Sequence, residues 1–379
     1  MRSSHPSNMP APLGLETKTQ RGIFVTYMSL WVSYGLLNEL AKRQSVRFNS
    51  ACAVVLQSFL KLLLASYMFL TADAQGGEFL GNKLRYMMSQ VQENRRLLLL
   101  YFIPSGLYVV YDVLSYVNLR AFDAATYFLL LQFRLVITGI LHQMMFKKRL
   151  NRNQWVSLGV TTVGCAIKTL GQQDPHATAK TDGPTLMAYG LLIVQMLSST
   201  FAGVYNEVLL KKQAAIPVNL QNVFMYVDSI VCTMGMLVFG LTGQTAEEAL
   251  TMDNVRVLFS PYVLPMVLIM SMIGVVTSLF LKNLDSVRKA IASALELVFL
   301  PLLSAVLFGQ PLTLYTVIAV CFVGFGVYIY SLPVETTGTG GLPVYTKVAS
   351  GEGVEEKDDV DDVDAVSTAS ESTTSSKVA

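Results

Sequence analysis

Residues 123–146 read DAATYFLLLQFRLVITGILHQMMF, a stretch whose only charged residues are Asp123 and Arg134. An α-helix rises about 1.5 Å per residue and the hydrocarbon core of a bilayer is about 30 Å thick, so this stretch is long enough to cross it. Lipid offers no hydrogen-bond partners to a backbone, and a crossing segment of this kind must therefore be helical. The stretch predicts a transmembrane helix with an arginine near its middle.

Similar apolar stretches recur along the chain. Of its 379 residues, 52% are hydrophobic and 14% are charged, with a mean hydropathy of +0.47. Soluble domains carry about 25% charged residues, and most of these stretches keep no polar face for water. We therefore predict an all-α polytopic membrane protein. Its ten transmembrane helices are predicted at residues 23–41, 50–72, 97–118, 123–146, 154–171, 185–210, 219–241, 260–281, 290–308 and 311–331.

Motifs of enzymes and metal sites are missing from the sequence. The four cysteines lie in apolar stretches without paired spacing and the three histidines are scattered, so no disulfide framework, metal site or cofactor is predicted. The segment GGEFLG at residues 76–81 is followed by Asn82 and Lys83, which does not match a P-loop. We expect neither an enzyme nor an ATP-driven pump, and any transport would be driven by concentration gradients.

The two ends of the chain differ from its body. Residues 1–22 are polar, and residues 332–379 carry ten acidic residues against three lysines, with many Ser and Thr. Such segments cannot bury enough apolar surface to fold, so both are predicted to be disordered. Outside the tail, sixteen Lys and Arg residues fall on the side of the N-terminus and seven on the other. This bias predicts that both termini face the cytosol.

An internal repeat divides the predicted helices into two halves. Shifting residues 119–164 by 162 positions lays them on residues 281–326 without a gap, and Asp123 falls on Asp285. The shift maps the fourth and fifth helices onto the ninth and tenth. Because five crossings per half is an odd number, the second half must insert in the opposite sense, as in many secondary transporters. The predicted halves are residues 23–171 and 185–331, with a channel or scaffold as the alternative to a transporter.

The repeat also relates two opposite charges, Arg134 in the fourth helix and Glu296 in the ninth. Charged residues inside a membrane rarely face lipid. Our hypothesis is that both face one central cavity and neutralise each other when it is empty; the alternative is that each has a separate structural partner. Arg134 and Lys289 together suit an anionic substrate, because arginine offers a planar fork for phosphate oxygens and lysine a compact charge.

Several short motifs resemble those of one known family. They are LRAFDAATY at residues 119–127, LQFR at 131–134, FAGVYNE at 201–207, NVFMY at 222–226 and KNLDSVRK at 282–289. In this order they resemble motifs of the Golgi nucleotide-sugar transporters, in the branch of the CMP-sialic acid, UDP-galactose and UDP-N-acetylglucosamine transporters. The resemblance extends from about residue 23 to residue 331 and leaves the tail outside.

The resemblance implies a drug/metabolite-transporter fold and an antiporter. Such a protein exchanges a cytosolic UDP-sugar or CMP-sialic acid for a luminal nucleoside monophosphate across the Golgi membrane, with the endoplasmic reticulum as the alternative location. The implied partners are these pyrimidine nucleotides and the bilayer, without nucleic acid, and homo-oligomerisation is left open. Arg134 and Lys289 stand where the family binds phosphate. The residues that match its nucleotide pocket are Tyr127, Gly203, Tyr205, Asn222 and Tyr226.

Two acidic residues depart from the family pattern. Asp112 lies where the family usually has pocket asparagines, and Glu296 replaces a small or apolar residue. Both are kept as candidate substrate-binding residues. Their charge favours one alternative function, a carrier of the same fold for another metabolite or an organic cation. A non-transporting membrane scaffold is a further alternative, favoured only by the long tail.

Overall fold

The computed structural model describes residues 12–72, 80–122, 124–171, 185–241, 243–309, 311–332, 334–337 and 343–346. Long helices form nearly all of this part of the chain. Within these residues, ten long helical segments follow one another. They are α1 (Lys18–Arg43), α2 (Ser50–Ala72), α4 (Arg95–Ala121), α5 (Ala124–Leu131) with α6 (Arg134–Phe146), α7 (Arg152–Leu170), α8 (Leu186–Lys212), α9 (Val218–Val238), α12 (Leu264–Asn283), α13 (Ser286–Phe308) and α14 (Leu314–Ser331).

Shorter elements lie between and beyond the long helices. They are a 3-10 turn at Pro12–Gly14, α3 (Leu80–Glu93), α10 (Ala246–Ala249), α11 (Met252–Leu258) and the antiparallel strands β1 (Val334–Thr337) and β2 (Pro343–Thr346). The strands fall in the segment for which the sequence predicts disorder. The remainder of that tail, like residues 1–11, lies outside the described residues.

Eight of the described helical stretches are long and apolar enough to cross a membrane. They are Ser50–Ala72, Arg95–Ser115, Thr126–Phe146, Leu186–Lys212, Val218–Val238, Leu264–Asn283, Ser286–Phe308 and Leu314–Ser331. The prediction of an all-helical polytopic membrane protein is thereby confirmed. Helices α1 and α7 have comparable length but carry more polar side chains, which lower their mean hydropathy.

The fourth predicted helix is interrupted, contrary to the sequence-based expectation of one continuous helix. Helix α5 ends at Leu131 and α6 begins at Arg134. The Nε of Arg134 donates to the carbonyl of Leu131 at 3.2 Å, so the arginine side chain satisfies part of the broken turn. The break therefore places the arginine at the start of a helix, beside its own backbone.

The N-terminal boundary also differs from the prediction, because residues 12–22 are ordered. Leu13 and Leu15 are buried in a cluster formed by α1, α12, α13 and α14, which outweighs the polar character of their neighbours. Helix α1 begins at a capping box in which Thr17 accepts from the backbone of Gln20 and the Gln20 side chain binds back.

Helices α7 and α14 pack against each other through glycines. A Cβ at Gly164 would lie 2.8 Å from the Cβ of Phe322 and 3.2 Å from the backbone nitrogen of Val323. Ser157 on α7 donates to the carbonyl of Gly326 on α14 at 2.7 Å. Small residues of this kind allow helix backbones to approach closely inside membranes.

Candidate substrate site

A cavity of about 260 Å³ lies between α4, α5–α6, α7, α8 and α13. Most of its wall is apolar, but polar and charged side chains from four of these helices and from the α5–α6 break converge on it. They are Tyr108, Tyr111, Gln132, Arg134, Thr138, Ser199, Thr200, Ser286, Lys289 and Ser293. A mostly apolar cavity with a few convergent polar groups is the usual form of a small-molecule site.

Arg134 is held in the cavity wall by neutral groups. One terminal nitrogen donates to the hydroxyl of Tyr111 at 3.3 Å, and the guanidinium carbon lies 5.9 Å from the centroid of the same ring. The Nε is bound to the carbonyl of Leu131. Within the described residues, no carboxylate forms a salt bridge with Arg134, so its charge stays available to a ligand.

Lys289 brings a second positive charge to the same cavity. It follows the N-cap of α13, Asp285, by one helical turn. Its ammonium is repelled by the charge of Arg134 and attracted by the charge of Glu207. No direct salt bridge of Lys289 occurs in the described part of the chain. Two cations without a direct counterion make this cavity suited to an anion.

At the end of the cavity marked by Ser286 lies what we call the Glu207 cluster: His142, Glu207, Lys211 and Ser286. The fully buried carboxylate of Glu207 accepts from Lys211 Nζ at 2.7 Å and from the backbone nitrogen of Ser286 at 2.8 Å. His142 Nδ1 lies 3.6 Å from the same carboxylate. Lys211 also donates to the carbonyl of Leu284. The cluster therefore joins α6, α8 and α13.

A second ionic contact extends this end of the molecule. Arg288 binds Asp285 at 2.9 Å and donates from its Nε to the carbonyl of Leu13 at 2.8 Å. Burial by itself raises the pKa of Asp285, but the positive charges of Arg288, His142 and Lys211 and a hydrogen bond from the Arg288 backbone together outweigh it, and the pKa is lowered from its ordinary value. Asp285 therefore stays ionised at neutral pH and holds the N-terminal segment through Arg288.

Another polar group lies between α2, α4, α9 and α12, outside the cavity. The charges of Lys61 and Asp112 attract each other there. A Cβ at Gly274 would lie 2.8 Å from the Tyr226 hydroxyl and 3.1 Å from Lys61 Cδ, so these side chains meet over a glycine. The Tyr226 hydroxyl and the Asn222 side-chain nitrogen are buried and make no hydrogen bond within the described residues. Buried polar atoms without a hydrogen-bond partner are unusual in proteins.

Glu296 does not pair with Arg134, which corrects our hypothesis of a direct pair. Its electrostatic partner is Lys168 on α7. The negative charge of Glu296 also acts electrostatically on the hydroxyl groups of Tyr27 and Tyr34 on α1. The residue thus faces α1 and α7, whereas Arg134 faces Tyr111 on α4, and the two charges have separate surroundings.

The other predicted site residues fall into three places. Gly203 lines the cavity with Arg134 and Lys289, and a Cβ there would lie 3.8 Å from the Tyr108 hydroxyl. Tyr127 is buried, and Gln195 donates to its hydroxyl at 2.7 Å. Tyr205 stacks on Phe201 with ring centroids 5.8 Å apart, and neither tyrosine is among the cavity-lining residues. Asn222 and Tyr226 belong to the group around Lys61.

The cavity also contains residues that sequence reasoning did not single out as site residues. Tyr108 and Tyr111 are spaced to lie on one face of α4, and Ser199 and Thr200 lie one turn before Gly203. Tyrosine and serine are common in membrane helices, so type alone gave no signal. For Ser199 and Thr200, the spacing of one turn from Gly203 was the available clue.

The spans and the cationic cavity define a polytopic membrane protein with an internal site for a small solute. Comparison with known proteins identifies which one: the family model for the nucleotide-sugar transporters matches residues 22–331. The chain belongs to the nucleotide-sugar transporter family.

Three relatives illustrate this membership. The chain is 35% identical to the UDP-galactose transporter senju of Drosophila melanogaster, over 83% of this chain and 87% of the relative. It is 25% identical to the UDP-galactose/UDP-N-acetylglucosamine transporter srf-3 of Caenorhabditis elegans, over 85% and 87%. CMP-sialic acid transporter 2 of Oryza sativa subsp. indica is 28% identical over 61% and 63%.

A solved crystal structure supports the fold. It superposes with a TM-score of 0.58 on 83% of this chain and 96% of its own, at 11% sequence identity. A likeness at that identity concerns the fold alone.

Proposed function

We propose that this protein is an antiporter that carries a UDP-sugar, with UDP-galactose the leading candidate, in exchange for a nucleoside monophosphate. The observation that carries the proposal is the pair of cations at one cavity, Arg134 and Lys289, without a direct counterion in the described residues. Phosphate oxygens are the ligands that a guanidinium and an ammonium bind best together. The names of the relatives, two of which are UDP-galactose carriers, support the choice of sugar nucleotide.

The nucleoside is proposed to occupy the group around Lys61. Tyr226 and Asn222 present buried polar atoms without partners, and Lys61 and Asp112 lie beside them. A base and a ribose offer donors and acceptors that would satisfy these atoms. Gly203 would permit close approach in the cavity. Tyr127 and Tyr205 would support the site without contacting the nucleotide, because both pack against neighbouring side chains.

The architecture proposed for this function is a five-plus-five inverted repeat of ten membrane-crossing helices, with α1 and α7 as additional spans. Helix pairing supports it. Exchanging the halves maps the packed pair α1–α12 onto α8–α4, α4–α9 onto α12–α2, and α6–α8 onto α13–α1, while α2–α9 and α7–α14 map onto themselves. Helix α13 also begins and ends where residues 124–146, shifted by 162, would place it.

The proposed setting is the Golgi membrane, with both termini in the cytosol. The basic residues of the loops support this orientation. The Glu207 cluster then lies at the cytosolic end of the cavity, because α6 and α8 end there and α13 begins there. We propose that the cluster closes this end, so that binding from the cytosol requires the cluster to open.

The test is uptake of labelled UDP-galactose into proteoliposomes. We expect trapped UMP to stimulate uptake above that of vesicles without nucleotide, and trapped GMP to stimulate less. Vesicles without protein provide the background. Absence of uptake for UDP-galactose, UDP-N-acetylglucosamine and CMP-sialic acid alike, with or without trapped nucleotide, would refute the proposal.

A carrier of another metabolite or an organic cation is the second candidate, favoured by the acidic residues Asp112, Asp228 and Glu296 on membrane-crossing helices. Thermal unfolding in detergent separates the two. Stabilisation by UMP and UDP-galactose supports the nucleotide carrier, whereas stabilisation by cationic solutes alone supports the other.

A further inference from the structure

Next to the cavity, α13 carries a group that the phosphate site does not use. On α13, Lys289, Ser293 and Glu296 are spaced by four and three residues and therefore share one helix face. Lys289 and Ser293 line the cavity. Glu296 follows one turn further, roughly 10 Å along the helix from Lys289 at 1.5 Å per residue. That distance is about the length of a hexose joined to a phosphate.

Two neighbouring helices contribute to the same place. On α7, Cys165 lines the cavity and Lys168 follows one turn later, where it is buried and balances the charge of Glu296. On α1, Tyr27 lies against Ser293 and Tyr34 lies near Glu296. The positive charge of Lys168 thus stabilises the Glu296 carboxylate inside the protein. No direct salt bridge joins the two residues in the described part of the chain, so the carboxylate is not engaged by the lysine.

Hydrogen-bonding capacity at this place is unused. Glu296 makes no hydrogen bond within the described part of the chain. Trp31 packs edge-on against Tyr34, and its buried Nε1 lies near the Tyr27 hydroxyl without a hydrogen bond of good geometry in the described residues. Pro301 has no amide hydrogen, so the Leu297 carbonyl lacks its usual helical donor. A carboxylate and a carbonyl accept hydrogen bonds, an indole donates one, and aromatic rings pack on apolar faces.

We infer that Glu296, with Lys168 and Trp31, forms a subsite that binds the hydroxyl groups of a neutral hexose. The inference rests on the proposed function, because it takes the phosphates to lie at Arg134 and Lys289. A hexose offers several hydroxyl donors to a carboxylate and an apolar face to a tryptophan ring. An acidic sugar such as sialic acid would instead bring its own carboxylate close to Glu296. The subsite therefore selects UDP-hexoses over CMP-sialic acid.

The test compares a nucleotide sugar with its sugar-free nucleotide in the same variant. In proteoliposomes loaded with UMP, external UDP-galactose and external UMP each compete for exchange. Glu296→Gln is expected to raise the concentration of UDP-galactose needed for competition, and to raise it roughly tenfold more than the concentration of UMP needed. A loss of this size is typical for a hydrogen bond to a charged group. Glu248→Gln, at an exposed carboxylate on α10, is the matched control and should change neither value.

Equal changes for UDP-galactose and UMP, or no change, would overturn the subsite while leaving nucleotide exchange intact. Failure of the proposed function is a separate outcome, in which the wild-type protein exchanges no nucleotide. Should Glu296→Gln fail to fold, singly deoxygenated UDP-galactose analogues can be tested on the wild-type protein. Weaker competition by at least one analogue supports the subsite, and equal competition by all of them overturns it.

Discussion

Arg134 binds its own backbone and a tyrosine at the same time. The Nε on Leu131 and one terminal nitrogen on Tyr111 leave the other terminal nitrogen without a described partner. An arginine can do this because it has five donors in a fixed plane, whereas a lysine has three around one atom. An arginine therefore suits the break between α5 and α6, because it can bind Leu131 and Tyr111 and still present a free terminal nitrogen to a ligand.

Arg134→Lys is expected to keep exchange at a reduced apparent affinity for nucleotide, whereas Arg134→Ala should abolish it. Lysine preserves the charge but cannot bridge Leu131 and Tyr111 while binding phosphate. Concentration-dependent uptake in proteoliposomes measures the difference. Equal activity of the lysine variant and the wild type would show that the fork geometry is unimportant.

Lys289→Ala should abolish exchange without preventing membrane insertion. The residue lines the cavity, and removing it leaves Arg134 as the single cation of the phosphate site proposed there. Uptake and detergent-extracted yield are the two measurements. Lys42→Ala, at an exposed lysine near the end of α1, is the matched control. Normal uptake by Lys289→Ala would remove this residue from the site.

At the scale of helices, the contact between α7 and α14 depends on having no side chain at Gly326. A Cβ there would collide with the hydroxyl of Thr161 and lie 3.2 Å from the carbonyl of Ser157. Gly326→Ala should lower the free energy of unfolding by about 1–3 kcal/mol, as overpacking does.

Gly324→Ala is the control for this effect, because a Cβ at Gly324 would have no neighbour within 4 Å. Thermal unfolding in detergent compares the two. We also expect Thr161→Ala to recover part of the loss caused by Gly326→Ala. If both alanine variants unfold at the same temperature, the close approach of α7 and α14 has no energetic significance.

The helices were largely predictable from the sequence, because a long apolar stretch in lipid has few alternatives to a helix. The break before Arg134 was not, since it depends on a side chain turning back to a carbonyl. Arg134 and Lys289 could be predicted to share a cavity because buried charge restricts where a helix face can point. The pair with Glu296 failed because symmetry-equivalent positions need not face one another: Arg134 points to α4 and Glu296 to α1 and α7.

At the scale of the whole molecule, the Glu207 cluster connects helices from both halves. Glu207→Gln should weaken its contacts with Lys211 and with His142 and favour the state in which this end is open. A cysteine at Thr138, inside the cavity, reports on the opening. In proteoliposomes, Thr138→Cys should react faster with a membrane-impermeant thiol reagent when Glu207→Gln is also present.

Reaction of the Glu207→Gln variant with Thr138 retained gives the background from the four native cysteines. Unchanged labelling of the introduced cysteine would mean that the cluster is structural and does not control access. The labelling of the introduced cysteine should not be carried out at acidic pH, where Asp285 loses its charge. Asp285 contributes stability above its unfolded pKa of about 3.9, and that stability is lost only as the pH falls further, through the lowered folded value.

The body of the protein should transport without its tail. The family match ends at residue 331, and the cavity and both polar clusters lie before it. A chain truncated after Leu332 is expected to retain the uptake rate of the full chain per inserted molecule. A loss of uptake with normal insertion would instead favour a regulatory or scaffolding role for the tail.

The two ends of this body are joined. The backbone nitrogen of Leu13 donates to the Ser331 hydroxyl at 2.8 Å, so the N-terminal and C-terminal ends of the helical core lie side by side. Topologically, the core is nearly a closed ring. A short peptide linker could therefore connect its ends, and the chain could be reopened in the basic loop between α6 and α7. Such a circular permutant would begin with α7 yet retain the same cavity. The spatial arrangement of the helices would then not depend on which helix comes first in the chain.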